Sequence, residues 1–210
     1  MRLYKLNDVV LNIKGNATTF LNGLSSNGLD QPLNAFLNQH GRIVATFRQQ
    51  KVSDDEFLIV VPSIVIESVL RHIDRYAKLS RTQIQSTSLK AYIDVDTGVL
   101  LLKAEDASSQ VFEEGFTLFR LQKNIPLLGV DYQADEFILN VDEHAYVSYA
   151  KGCFLGQEPV AKVHSRSKPT RKLVVRYEDE CTQEEKANMT SKILDPQTRR
   201  VKGFIFVGNK

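Results

Sequence analysis

Cysteine is nearly absent from this chain of 210 residues: Cys153 and Cys181 are the only two. A disulfide framework is therefore not expected, and the composition suits a reducing compartment. No Cys-x-x-Cys pair occurs, and His40, His72, His144 and His164 are scattered, so no metal-ligand spacing is present and no metal site is expected. Long apolar runs are missing too, and nothing approaches a membrane span. The opening Met1–Asp8 has a short basic head but no apolar stretch and no small-residue cleavage site, so a cytoplasmic protein is expected. Charge of one sign is not in excess. With 27 basic against 25 acidic residues the net charge is +2, which gives no whole-chain case for nucleic acid. Glycine-rich phosphate and dinucleotide loops, internal repeats and low-complexity segments are all lacking.

What remains is ordinary for a soluble globular protein, 42% hydrophobic and 25% charged. The length allows one large domain or two small ones with a proper core. Val9–Ile13 reads as a strand. Asn16 is placed to cap a helix through Phe20, Leu21 and Leu24 that ends near Asn27 and Gly28. A hairpin turns at His40-Gly41-Arg42, and its second arm puts Ile43, Ala45 and Phe47 on one face. Phe57–Val61 follows as a strand. Ser63 then caps a helix with Ile64, Ile66, Val69, Leu70, Ile73 and Tyr76 on its apolar side. Strands are expected at Thr82–Ser86, Ala91–Asp94, Val99–Ala104, Phe116–Leu121, Lys172–Tyr177 and Val201–Val207, with helix or loop over Glu178–Asn188. This order, rich in hairpins, favours an α+β fold with helices on one face of an antiparallel sheet.

The stretch that carries chemistry is Lys151-Gly152-Cys153-Phe154-Leu155-Gly156-Gln157-Glu158. It reads as a glycine-permitted turn running into a short helix, with Pro159 tolerated in the first turn. Cys153 then lies ahead of a helix N-terminus and two residues from a lysine, and both favour a thiolate. The plainer alternative is a small buried hydrophobe beside Phe154 and Leu155. Glu158 can equally cap its own helix or contact a ligand. Downstream, Lys162, His164, Arg166, Lys168, Arg171 and Lys172 form a basic stretch, read as a solvated linker or as an anion contact such as the glutamate tail of a folate.

The Lys-Gly-Cys-aromatic-x-Gly-Gln-Glu run resembles the signature of the YgfZ family, relatives of the glycine-cleavage T-protein that assist iron–sulfur enzymes in a folate-linked way. A second run, Arg120-Leu121-Gln122-Lys123-Asn124-Ile125-Pro126-Leu127-Leu128-Gly129-Val130-Asp131, is similar to one in T-protein enzymes. There a glutamate two residues after the arginine holds the pterin; here Gln122 stands in that place. The resemblance implies ferredoxin-like units of the T-protein folate-binding fold over residues 1–168, as two interleaved α+β subdomains. It also implies a reduced C-terminal β segment over 169–210. It further implies tetrahydrofolate as ligand and iron–sulfur client or assembly proteins as partners. Cys153 is then the residue carrying activity, with Lys151, Gly152, Gly156, Gln157, Glu158, Arg120 and Gln122 as motif or folate contacts. T-protein enzymes also carry a Gly-Gly-Ile-(Ile/Leu)-Asp-Asp run. The matching Gly41-Arg42-Ile43-Val44-Ala45-Thr46 has lost both acids, so classical aminomethyl transfer is not expected.

Overall fold

The computed structural model describes residues 1–108 and 110–208; position 109 and the last two positions of the expected 169–210 segment lie outside the described residues. The first strands are β1 (Leu3–Lys5) and β2 (Asp8–Lys14), followed by helix α1 (Ala17–Leu24). Then come β3 (Leu33–Leu37), β4 (Ile43–Ser53), β5 (Glu56–Pro62), helix α2 (Ile66–Ser80) and β6 (Gln83–Ser86). Five of these strands form an antiparallel sheet in the order β3-β4-β5-β2-β6.

Alternation decides what covers each face of that sheet. Leu11, Ile13, Phe57, Ile59 and Val61 are buried under α1 and α2. Their neighbours Val10 and Val60, paired across the strands, point the other way, onto the sheet formed by β1, β7 (Lys90–Asp94) and β8 (Leu100–Lys103). The architecture is thus α+β, with helices on one face of the large sheet and a small sheet on the other.

Both helix starts differ from the sequence expectation. Asn16 occupies the N-cap position of α1 in the left-handed region (φ 56°), where its side chain cannot cap. It donates instead to the Ser80 carbonyl at 2.8 Å. The cap comes from the turn between β4 and β5: Asp55 accepts from the backbone N–H of Asn16 and Thr18, placing a carboxylate at the positive end of the helix. Ser63 likewise opens a single 3-10 turn rather than capping α2. The helix buries Val69, Ile73 and Ala77 and leaves Leu70 exposed, and Ile64 in the preceding turn is exposed as well.

Phe116–Leu121 is not a strand. It lies within helix α3 (Glu113–Lys123), where Phe116, Phe119 and Arg120 share one buried face at helical spacing. Glu113 and Glu114 in its first turn and Asn124 as a left-handed cap (φ 51°) mark the ends. Phe116 and Phe119 seat against Ile93 of the small sheet and Val95 just beyond it.

Short helices α4 (Ile138–Val141), α5 (Glu143–Tyr146) and α6 (Gln157–Arg166) wrap the β3–β4 end of the large sheet. A further sheet closes the described chain, with β9 (Arg171–Tyr177), helix α7 (Gln183–Asn188), β10 (Thr190–Leu194) and β11 (Val201–Gly208) ordered β10-β11-β9. Thr182 and Glu185 form a reciprocal capping box at α7. Leu173 and Phe204 of this sheet belong to the main core cluster.

Candidate functional site

Two concave regions flank the large sheet. The first is a central cavity of two adjoining chambers, about 300 Å³ and 40 Å³, that share Asp8, Arg48, Pro62, Leu127 and Leu128. Its walls come from the start of β2, the middle of β4, the end of β5 and the loop after α3. Asp8 is pushed up to about 6 by burial, partly countered by the Arg48 guanidinium. The larger chamber ends on Tyr4, which stacks on Phe116 with ring centroids 3.8 Å apart and donates to Glu113. Burial, reinforced by that bond, raises the Tyr4 hydroxyl well above its ordinary range.

Of the two positions where T-protein enzymes carry acids, strand alternation sends Ala45 into the core and Thr46 to the cavity side. Thr46 Oγ1 is hydrogen-bonded to the Tyr132 hydroxyl at 2.6 Å. Burial raises the pKa of both Tyr132 and Tyr146, so this corner is neutral and already paired.

The second region is the Lys151–Glu158 loop. Its C-terminal half is built into the core. Phe154 is buried, the Leu155 N–H donates to the Gly23 carbonyl at 3.0 Å, and the Gln157 N–H closes back on Phe154. Gly156 sits at φ +83° with its α-carbon against the β3–β4 turn, where any side chain would enter the Asn38 carbonyl oxygen. Gly41 of that turn is its counterpart: at φ +72°, a β-carbon there would lie 2.9 Å from both Phe137 and Val160. The signature glycine and the hairpin glycine thus interlock, and α6 starts where they meet.

Lys151 turns inward. Its ammonium donates to the carbonyls of Ser25 (2.5 Å) and Asn27 (3.0 Å) and lies over the Phe154 ring. Burial lowers it to about 8. The Ser25–Gly28 loop it holds is itself tied to the cavity, because Ser26 Oγ donates to the Tyr146 carbonyl at 2.6 Å. Asn27 Nδ2 donates to the Ala145 carbonyl, and Gln49 Nε2 to Gly28. The expected charge partner of Cys153 therefore anchors a loop that connects the signature to the cavity wall.

Gly152 and Cys153 are exposed, and a β-carbon on Gly152 would meet open space. Cys153 forms the lip of an apolar groove of about 600 Å³ whose floor is Phe20, Leu24, Phe154 and Leu155, with Tyr76 and the exposed Leu79 opposite. Gln157 is partly buried and Glu158 exposed in the first turn of α6. His164 is engaged elsewhere, stacked on Tyr149 and bonded to Glu143.

Arg120 and Gln122 are not gathered with the signature, and neither lines the central cavity. Arg120 is only 2% exposed and pairs with Asp131 at 2.6 Å, with further bonds to the Ile125 carbonyl and Ser191 Oγ. Thr190 and Ser191 hydroxyls also donate to Asp131, so the pair stitches α3 to β10. Gln122 is exposed on the same helix. The cavity residues that sequence reasoning missed are Asp8, Arg48 and Tyr146, with Tyr132 behind them as the partner of Thr46. Asp8 and Arg48 stand on strands at polar positions that any solvated face could explain, and no local signal separates them.

No family model matches the chain. An uncharacterized protein of Haemophilus influenzae is 25% identical over 166 residues, covering 68% of this chain. The chain spans 59% of the length of that curated relative. Among solved structures, the glycine cleavage system aminomethyltransferase T from Bartonella henselae matches with a TM-score of 0.73 at 13% identity. That match covers 98% of this chain and 78% of the other. Across almost its whole length, then, this chain has the fold of that aminomethyltransferase.

Proposed function

We propose that the chain is a folate-binding accessory protein of the YgfZ type that supports assembly or repair of iron–sulfur enzymes and does not itself transfer an aminomethyl group. The observation that carries this reading is the central cavity on an aminomethyltransferase fold, with Asp8 and Arg48 on one wall and Thr46 where an acid would stand. The donor set fits a pterin. An acid and a guanidinium side by side present an acceptor and donors to a 2-amino-4-oxo edge, and Tyr4 offers an aromatic face. The larger chamber, about 300 Å³, is at the lower end of small-ligand sites. Tetrahydrofolate, when bound, supplies a carrier for one-carbon units.

Within that site Asp8 and Arg48 orient the ring, and Asp8 can hold or release a proton near neutral pH. Thr46 already shares its hydroxyl with Tyr132, so it has no proton-accepting role comparable to a carboxylate. Cys153, exposed at the lip of the apolar groove, is free for thiol contact with an iron–sulfur client seated there.

The test is an anaerobic calorimetric titration with tetrahydrofolate. Saturable one-site binding, weakened at least tenfold by Arg48→Ala, is the expected result; a folded protein that does not bind would overturn the folate reading. In cells, Cys153→Ala should abolish support of iron–sulfur enzymes, and full complementation by that variant would sink the role of the thiol.

A further inference from the structure

An open sheet edge invites another strand, and natural sequences guard such edges with charge, proline, bulges or cover. Guards are present on the other edges of this molecule. Ser25 bridges to Phe36 on β3, and the Gln110 N–H donates to the Leu3 carbonyl on β1. Lysine or arginine stands on β8 (Lys103), β9 (Arg171, Lys172 and Arg176) and β10 (Lys192). The exception is β6, the edge of the large sheet beside β2. From Thr82 to Leu89 the chain has no charge, proline or glycine, and the pairing of β6 with β2 runs without a bulge.

The register shows which main-chain groups of β6 are open. The Thr87 N–H donates to the Val10 carbonyl, so Val10–Thr87, Asn12–Gln85 and Lys14–Gln83 are the hydrogen-bonded pairs. Ile84 and Ser86 therefore turn their N–H and C=O groups away from β2, and among the described residues nothing bonds to them. Alternation puts Ile84, opposite Ile13, on the helix side and leaves Gln83 and Gln85 exposed on the other. On the helix side Ile84 borders a groove of about 440 Å³ with Leu70, Ile73 and Ala77, rimmed by Asp74, Lys78 and Arg81.

The chemistry of this edge selects its own copy. A two-fold axis sets each side chain of a strand against itself or a near neighbour, so a charge there meets like charge. An amide donates and accepts, and is thus its own complement. With Ile84 set opposite Ile84 of a second copy, the two exchange a pair of backbone bonds. The Ser86 N–H of each copy then reaches the Thr82 carbonyl of the other; the Thr82 N–H is already given to Ala77. Gln83 and Gln85 meet in the close, non-hydrogen-bonded pairs of the new ladder. Asp74 and Lys78, bonded to each other at 2.6 Å on the groove rim, are exchanged by the same axis, so opposite charges face across it.

We infer that two copies of this chain pair antiparallel through β6, with Ile84 at the two-fold axis, joining their large sheets into one continuous sheet. Sedimentation equilibrium of the full chain is the test. The mass should rise from one chain towards two as concentration increases about a hundredfold. Gln83→Lys combined with Gln85→Lys should weaken self-association at least tenfold, and so should Gln83→Glu combined with Gln85→Glu. An equimolar mixture of the two double variants should associate again, because lysine then faces glutamate. Ser86→Pro removes only an outward N–H and should also give a monomer, which keeps the test open if a charged variant fails to fold. A dimer indifferent to all these variants, or a mixture that stays dissociated, would overturn the assignment. So would a chain that is monomeric throughout, which would leave the edge to a strand of another protein.

Discussion

The two halves of the Lys151–Glu158 loop are held by different rules. From Phe154 to Gln157 the fold holds the chain at each step: Phe154 is an aromatic in the core, the backbone of Leu155 bonds to Gly23 and that of Gln157 to Phe154, and Gly156 is a glycine that a turn carbonyl would otherwise exclude. At Gly152 and Cys153 the fold imposes nothing comparable; both are exposed, and Gly152 has room for a side chain. The difference teaches how to divide a signature. The part that packing explains would be retained by any protein with this fold, and the part that packing leaves free is where selection for chemistry or contact acts.

The strongest way to break that comparison is Gly156→Ala. It combines a clash with the Asn38 carbonyl and a left-handed backbone, and should cost about 3 kcal/mol or more, or prevent folding outright. Thermal unfolding of that variant within a degree or two of wild type would remove the distinction between the halves. Next in size is Arg120→Ala. It strands a buried Asp131 carboxylate, and breaking such a pair costs about 3–5 kcal/mol in chemical denaturation.

The cavity supplies a smaller effect of opposite sign. Asp8 in the folded chain is raised to about 6 from 3.8, so the native state binds the proton more tightly. Its contribution is therefore fully present below the unfolded value and is lost as pH rises through that window. Asp8→Asn should stabilise the protein at neutral pH by about 1–2 kcal/mol, after allowing for its partial exposure, and flatten the stability profile between those two values. A variant less stable than wild type at neutral pH would show that the Arg48 attraction outweighs burial. The smallest effects sharpen the comparison: Gly152→Ala and Cys153→Ala should each shift stability by no more than about 0.5 kcal/mol in urea titration. A large destabilisation from either would place it with the structural half.

Much of this was legible in the sequence where a period or a turn had to be obeyed. The β3–β4 hairpin, the strands of the large sheet and the run into α6 follow from alternation and glycine placement. The signals that failed were two-sided ones. Phe116–Leu121 holds enough aromatic and apolar residues to read as strand. Only the buried spacing of Phe116, Phe119 and Arg120 and the acidic first turn reveal a helix. Asn16 has the chemistry of a cap but the wrong backbone, and the actual cap, Asp55, comes from a turn distant in sequence. Arg120 and Gln122, read together as ligand contacts, diverge because neighbours two apart on a helix face different ways. Asp8, Arg48, Tyr132 and Tyr146 become a set only when four separate segments fold together, and no spacing along the chain encodes that.

The Arg120–Asp131 pair also has a consequence for synthesis. Its last two partners, Thr190 and Ser191, follow it by roughly sixty positions. Until they emerge, a guanidinium and a carboxylate made much earlier lack the strand that covers them, while the seat of α3 on Ile93 and Val95 is already complete. A translating ribosome that stalled near Pro169 would therefore present a nascent chain with its large sheet assembled and this ionic seam still wet. Arrival of β10 is the event that dries it, and the point after which the fold resists being opened from that end.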